Sequence, residues 1–160
     1  MSSSKSLPTS YAEAVATLDG NYSRKLMHNT YAVRHSGHSD ESQDSVGIVL
    51  HNTAVIRFYA DGRIVLNTGG WYTVTTKDRL NRCLPYPWRV ASDARKGGWG
   101  LYENSERVAH YSDGMELRPD SNGKLRPWRG GSDFPITLLG DREHAAKQQE
   151  AIKRLTRRNV

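Results

Sequence analysis

The chain has 160 residues, of which 36% are hydrophobic, and its single cysteine, Cys83, rules out an intrachain disulfide. That length fits one domain with its own core, and no apolar run approaches the roughly 18 residues that a membrane-spanning helix needs. A formal net charge of +6 favours nucleic acids, nucleotides or acidic protein surfaces as partners, although a modest charge also simply keeps a small protein soluble. A lone cysteine and a start without an apolar stretch lead us to expect a cytoplasmic protein with no membrane contact.

A short helix is predicted near the start of the chain. Ser10 and Glu13 have the spacing of a capping box, and apolar residues follow at helical intervals. Asp19-Gly20 supplies a stop signal at the other end. We expect this helix to dock on the rest of the protein, because so short a helix is marginal in water by itself.

The middle of the chain alternates β-branched and aromatic runs with turn residues, which is typical of strands. Asp61-Gly62 and Asp113-Gly114 are strong turn signals between such runs. The segment 35–45 has no apolar residue, so we expect an exposed loop there. The predicted strands are 29–34, 46–51, 54–59, 63–67, 71–76, 88–92, 99–103, 107–111 and 115–118.

A second short helix is predicted over 77–84, with Thr76 as its N-cap and prolines after its end. The pattern predicts an α+β fold, with a bent antiparallel sheet of about six to eight strands, a short N-terminal helix and a short mid-chain helix. A basic C-terminal helix completes the predicted fold. We expect a single domain over 10–118, a Pro/Gly-rich linker or loop over 119–137 and the basic helix over 138–160.

The segment from Asn67 to Arg82 is the strongest candidate for a binding site. Its glycine pair lets backbone approach a ligand closely, Thr73 and Thr75 would share one face of the predicted strand, and Lys77 opens a basic helix. A helix start favours anions, so this corner could hold a phosphate, although it lacks the spacing of a Walker A loop. The predicted phosphate or nucleic-acid site comprises Arg57, Trp71, Thr73, Thr75, Thr76, Lys77, Arg79 and Arg82. The alternative is a capped helix after a strand, with its basic residues in solvent.

Aromatic residues are interleaved with Lys and Arg along the chain, which suits stacking on the bases of single-stranded nucleic acid. Most of these aromatics are also ordinary core residues of a small β-fold. The tail adds a secondary basic face, expected to lie against a phosphate backbone, or else to be a solvated helix. That face comprises Lys153, Arg154, Arg157 and Arg158.

The sequence His-Asn-Thr occurs at 28–30 and again at 51–53, and we interpret both copies as similar turns at strand entries. His35, His38 and Asp40 are too few for a confident metal site, so we predict no metal and no cofactor. His28 or His51 could act as a general base, but no partner nucleophile is evident. We therefore predict no catalytic residue and lean against an enzyme.

The string LNTGGWYTVTTKDRLN, with the preceding HNT and the later DGM, resembles a family of small uncharacterised proteins encoded by bacteriophages. The resemblance covers about 10–118, and the loop 35–45 and the tail fall outside the recognisable pattern. It implies a phage origin and no particular chemistry, and it favours a role in host takeover or in evading host defence.

We therefore expect a non-catalytic phage accessory protein in the host cytoplasm that binds a polyanion, with single-stranded DNA or RNA as the leading candidate. One alternative is a protein that inhibits a host protein or sequesters a defence nucleotide at the same corner. A second alternative is a nuclease or phosphodiesterase that uses His28 or His51 with Lys77. The sequence leaves the oligomeric state open.

Overall fold

A computed structural model describes residues 6–37, 39–93 and 97–128. Two α-helices and ten strands lie within these ranges, with a short 3-10 turn at Glu41–Gln43. The helices are α1 (Tyr11–Leu18) and α2 (Val74–Cys83). The strands are β1 (Ser23–Met27), β2 (Thr30–His35), β3 (Ser45–Leu50), β4 (Thr53–Tyr59), β5 (Ile64–Leu66), β6 (Trp88–Ser92), β7 (Trp99–Glu103), β8 (Glu106–His110), β9 (Glu116–Pro119) and β10 (Leu125–Pro127).

The strands form two antiparallel sheets rather than the one bent sheet that the sequence predicted. Seven strands pair in the order β1-β2-β3-β4-β5-β9-β10, and β6-β7-β8 form a smaller sheet. The α+β class is confirmed. Strand β1 was not predicted, and β10 falls within 119–137, where a linker or loop was expected. The predicted helix over 138–160 lies outside the described residues.

Both His-Asn-Thr copies lie at two-residue hairpin loops that lead into strands, in agreement with the prediction of similar turns at strand entries. Met27 pairs with Thr30 across the first loop, and Leu50 pairs with Thr53 across the second. Each loop contains one residue at positive φ, which tight hairpins require. The backbone N–H of His51 donates to the carbonyl of Asn29 over 2.9 Å, so the two loops lie side by side.

One face of the large sheet, here called the inner face, holds the core. Ile48 and Ile56 are opposite each other on this face and fully buried, while their neighbours Gly47 and Arg57 face the other side. Helix α1 packs on β1 to β4, and α2 packs on β4 and β6, so the smaller sheet reaches the same core. Ser10 caps α1 as predicted, its side chain accepting from the N–H of Glu13.

Asp113 connects the end of β5 to the smaller sheet. Its carboxylate accepts from the N–H of Thr68 at 2.7 Å and from the Thr68 hydroxyl at 2.8 Å. The Tyr111 hydroxyl, directly after β8, donates to the same carboxylate at 2.8 Å. Gly114 N–H donates to the carbonyl of Leu66 in addition. This set of bonds fixes the turn 67–70, from which the chain enters α2.

Replacing Asp113 with Ala should therefore destabilise the fold. Three donors would lose a charged acceptor, and we expect the free energy of unfolding to fall by about 2 kcal/mol because Asp113 is partly solvated. Urea titration followed by circular dichroism would measure it. Glu106→Ala, at an exposed carboxylate on the neighbouring strand β8, is the control and should change little. Equal stability of the two variants would contradict the role given to Asp113.

Candidate functional site

Helix α2 begins at Val74, three residues earlier than predicted, so the predicted strand over 71–76 does not exist. Thr73 is the N-cap, with extended backbone, and its Oγ1 accepts from the N–H of Thr76 at 3.1 Å. Thr76, the predicted cap, is buried in the first turn and accepts from the Thr73 hydroxyl. Thr73 and Thr75 therefore do not share a strand face. The helix starts early because tertiary packing favours it: Thr76, Leu80 and Cys83 form one buried side of α2.

A cavity of about 480 Å³ lies between the start of α2 and the end of the β3–β4 hairpin. Its apolar wall includes Val55, the extra residue in a β-bulge where Ile48 pairs with Ile56 and Val49 with Ala54. The bulge displaces the pairing register and brings Val55 into the wall. The full lining is Leu50, His51, Asn52, Val55, Trp71, Thr73, Thr75 and Thr76.

The glycine turn shapes the approach to this cavity but does not supply free donors. Gly69 N–H donates to the side chain of Asn67 at 2.8 Å, and Gly70 N–H donates to the Thr68 hydroxyl at 3.0 Å. Gly69 also has positive φ, and a Cβ there would lie 2.7 Å from the hydroxyl oxygen of Thr53. Glycine is thus required for close packing of this turn against β4.

Exposed apolar side chains follow one another along the segment that enters α2. Trp71, which lines the cavity, is 67% exposed, and Val74, the first residue of α2, is 80% exposed. Tyr72 is half exposed, and its ring meets the edge of Trp99 with centroids 4.9 Å apart. Burial, and then the negative charge of Asp113, raise the pKa of Tyr72. Three exposed apolar side chains within residues 71–74 are a feature of the kind that marks interaction sites.

The basic residues of the predicted site are not gathered at the cavity. Arg79 and Arg82 both bond the carboxylate of Asp78, and Arg79 also donates to the Thr30 hydroxyl at 2.9 Å. The Arg79 side chain is only 12% exposed. Lys77 donates to the Ser92 hydroxyl at 2.6 Å and lies over the Trp99 ring, so it faces the smaller sheet.

Arg57 lies on the opposite face of the large sheet from α2, where it donates to Ser45. Of the eight predicted residues, four line the cavity: Trp71, Thr73, Thr75 and Thr76. Sequence reasoning did not include the hairpin residues Leu50, His51, Asn52 and Val55 in the site. The repeated His-Asn-Thr marked the position of that turn, but only the fold places it against α2. Whether any of these residues binds an anion stays a prediction.

The described residues are formally neutral. They contain thirteen Lys and Arg and thirteen Asp and Glu, so the other ten Lys and Arg and four Asp and Glu account for the whole net charge of +6. The predicted secondary basic face, with Lys153, Arg154, Arg157 and Arg158, belongs to that outside portion. Positive charge is therefore not a general property of the part of the chain that the structure describes.

Two of the three residues considered for metal binding, His35 and Asp40, belong to different structural elements. His35 ends β2, and Asp40 accepts from Ser42 to cap the 3-10 turn, while His38 lies outside the described residues. Hydrogen bonds from Ser42 lower the pKa of Asp40, and partial burial followed by the charge of Arg57 lowers the pKa of His35. Three or more His, Cys, Asp or Glu residues in a metal-binding arrangement do not occur among the described residues.

Thr73→Ala should remove the cap that sets the start of α2. We expect a loss of about 1 kcal/mol in the free energy of unfolding, while Thr73→Ser keeps the acceptor and most of the stability. Thr75→Ala, at the exposed cavity rim, is the control in the same helical turn. Chemical denaturation of the three variants would measure these differences. An unchanged Thr73→Ala variant would show that the cap contributes nothing.

Comparison with known families places the chain in a phage group. The model of the Kyanoviridae Gp96 protein family matches residues 8–118, which is more than half of the chain and includes both helices and the cavity. Comparisons with curated proteins and with solved structures gave no match. Neither described helix has the length and apolar character needed to cross a membrane. The chain belongs to the Kyanoviridae Gp96 protein family, and its origin is a bacteriophage.

Proposed function

We propose that this phage protein binds single-stranded DNA or RNA without catalysis and takes one base into the cavity beside Trp71. The observation that carries the proposal is an exposed indole at the entrance of a cavity whose volume falls within the range of small-ligand sites. Aromatic faces next to a cavity are how many proteins hold an unstacked base, because every base has a π-face.

The chemistry of the lining suits a nucleotide unit. Leu50 and Val55 offer an apolar wall for the ring, while Asn52 and His51 carry polar groups for the base edge or sugar. The first turn of α2 contains no acidic residue, so the partial positive charge at the helix start is not offset there. A phosphate of the bound nucleotide would be stabilised at that position.

The arrangement does not favour the nuclease alternative. The amine of Lys77 faces Ser92 and Trp99 rather than lining the cavity with His51, so the proposed acid–base pair is not assembled. Cys83 is fully buried, and burial raises the pKa of its thiol to about 12, so the thiol stays protonated and weakly nucleophilic. Binding without turnover is the simpler use of these residues.

A host protein is the second candidate partner, and the exposed apolar segment 71–74 is the observation that favours it. Trp71, Tyr72 and Val74 expose a compact hydrophobic group on an otherwise charge-balanced domain. Aromatic residues of this kind dominate many protein interfaces. A partner protein would cover the entrance and leave oligonucleotide affinity independent of Trp71.

Trp71→Ala should weaken binding of a fluorescent oligo-dT or oligo-rU by roughly 5- to 100-fold. A stacked base contributes about 1–3 kcal/mol, and 1.4 kcal/mol is a factor of ten. Fluorescence anisotropy at fixed salt would measure the change. Tyr86→Ala is the matched control, because Tyr86 is 91% exposed but does not line this cavity. Equal affinities for wild type and Trp71→Ala would rule out the base site.

Neutralising the tail should change the salt dependence of binding. In a variant with Lys153, Arg154, Arg157 and Arg158 all replaced by Gln, the slope of log K against log salt should become shallower by up to about 3, since each single-strand phosphate contact contributes about 0.7. Anisotropy titrations across a salt series would give the slope. Trp71→Ala is the reference, because losing a stacking contact should leave the slope unchanged. An unaltered slope in the tail variant would remove the tail from the binding surface.

A further inference from the structure

We propose that the β1–β2 hairpin is a second contact surface for single-stranded nucleic acid, reading its phosphates next to the cavity. This inference rests on the proposed function and names a surface that the predicted site did not include. The surface, here called the basic hairpin, consists of the exposed residues Tyr22, Arg24, Lys25, His28, Tyr31 and Arg34. It wraps around the edge of the sheet, because Arg24 and Arg34 share the side of Ala32 whereas Lys25 shares the other side with Tyr31.

Unpaired positive charge is concentrated on this hairpin. Seven of the thirteen described Lys and Arg form ion pairs with described carboxylates. Arg24, Lys25 and Arg34 are three of the six that form none within the described residues, and Arg57, two strands away, is a fourth. Within a neutral domain, these cations give one edge of the large sheet a local positive potential.

The sequence of the hairpin itself contains no acid. Residues 20–39 include no Asp or Glu, and the flanking Asp19 and Asp40 form no ion pair with the hairpin cations within the described residues. Arg24 donates to the carbonyl of Thr17, which bonds the guanidinium without cancelling its charge. A polyanion would therefore meet cations whose charge is still available for phosphate.

Aromatic rings lie among these charges. Tyr22 is 69% exposed and Tyr31 is 39% exposed, and Tyr31 is directly opposite Lys25 on the same face of the hairpin. Exposed tyrosines next to Lys and Arg on a sheet are a stacking platform for unpaired bases. A duplex, whose bases are already stacked, would not use these rings, so the combination favours a single strand.

The basic hairpin also adjoins the cavity. Thr30 pairs with Leu50 across the sheet, and the N–H of His51 bonds the carbonyl of Asn29, so the hairpin loop touches a cavity-lining residue. A strand with one base in the cavity would leave it over this loop. The two surfaces then form one continuous path for consecutive nucleotides.

Charges on an exposed edge strand also prevent sheets from pairing with one another, and the experiment must separate that role from binding. The test variant is Arg24→Gln/Lys25→Gln/Arg34→Gln in the full chain. Its matched control is Arg82→Gln/Lys124→Gln/Arg126→Gln, which removes three exposed cations that are already ion-paired. Size-exclusion chromatography of both variants would report any self-association.

For oligo-rU binding, we expect the hairpin variant to lose about 2 from the salt slope and at least fivefold in affinity at moderate salt, with a smaller change in the control. A 4-thiouridine oligonucleotide should cross-link to Tyr22 or Tyr31 on irradiation, as mapped by mass spectrometry. Equal slopes for the hairpin and control variants, with no cross-link to Tyr22 or Tyr31, would overturn the inference while leaving the cavity proposal standing.

If the wild-type protein bound no single strand, the proposed function itself would fail. The two triple variants would then be compared on immobilised heparin, a polyanion without bases. Earlier elution of the hairpin variant alone would keep the hairpin as a polyanion surface, and identical elution of both variants would overturn it.

Discussion

The carboxylate of Asp113 is the constraint on which the rest of the site depends. It accepts bonds from both donors of Thr68 and from Tyr111, so it ties the segment that follows β5 of the large sheet to the segment that follows β8 of the smaller sheet. Between these attachments the chain turns through Gly69 and Gly70 and delivers Trp71 to the cavity entrance. Because the same turn also positions the Thr73 cap, the start of α2 and the backbone of Trp71 are held by one set of bonds.

The distribution of charge explains how a neutral domain can still belong to a basic protein. Most described cations are paired locally, as Arg79 and Arg82 are with Asp78, and such pairs add little long-range field. Three of the six cations that form no ion pair within the described residues lie on the β1–β2 hairpin, and the net excess of positive charge lies outside the described residues. Shape and apolar contact are thus properties of the cavity, whereas electrostatic attraction belongs to other parts of the chain.

Local signals in the sequence predicted much of the fold. The capping box at Ser10, the Asp-Gly turns and the paired His-Asn loops depend on neighbouring residues, and sequence reasoning identified them. The start of α2 could not be predicted in the same way. Residues 71–76 favour a strand by composition. The helix forms instead because it buries Thr76, Leu80 and Cys83 along one side. The burial of Arg79 could not be predicted from neighbouring residues either, because its hydrogen-bond partner Thr30 is 49 residues away in the sequence.

The nearness of the cavity to the basic hairpin suggests an order of events under the proposed function. A neutral cavity exerts no long-range attraction, so a polyanion would first meet the unpaired cations of the hairpin and the Lys and Arg residues of the tail. Capture by phosphate contacts is sensitive to salt but not to sequence. The adjoining loop, held by the bond from His51 to Asn29, then brings a base to Trp71, where stacking adds a contribution that salt screens little. The phosphate contacts and the stacking contact thus lie on different parts of the protein. Each can be removed by substitution without unfolding the chain, because the hairpin cations are exposed and the indole lies at the cavity rim rather than in the core.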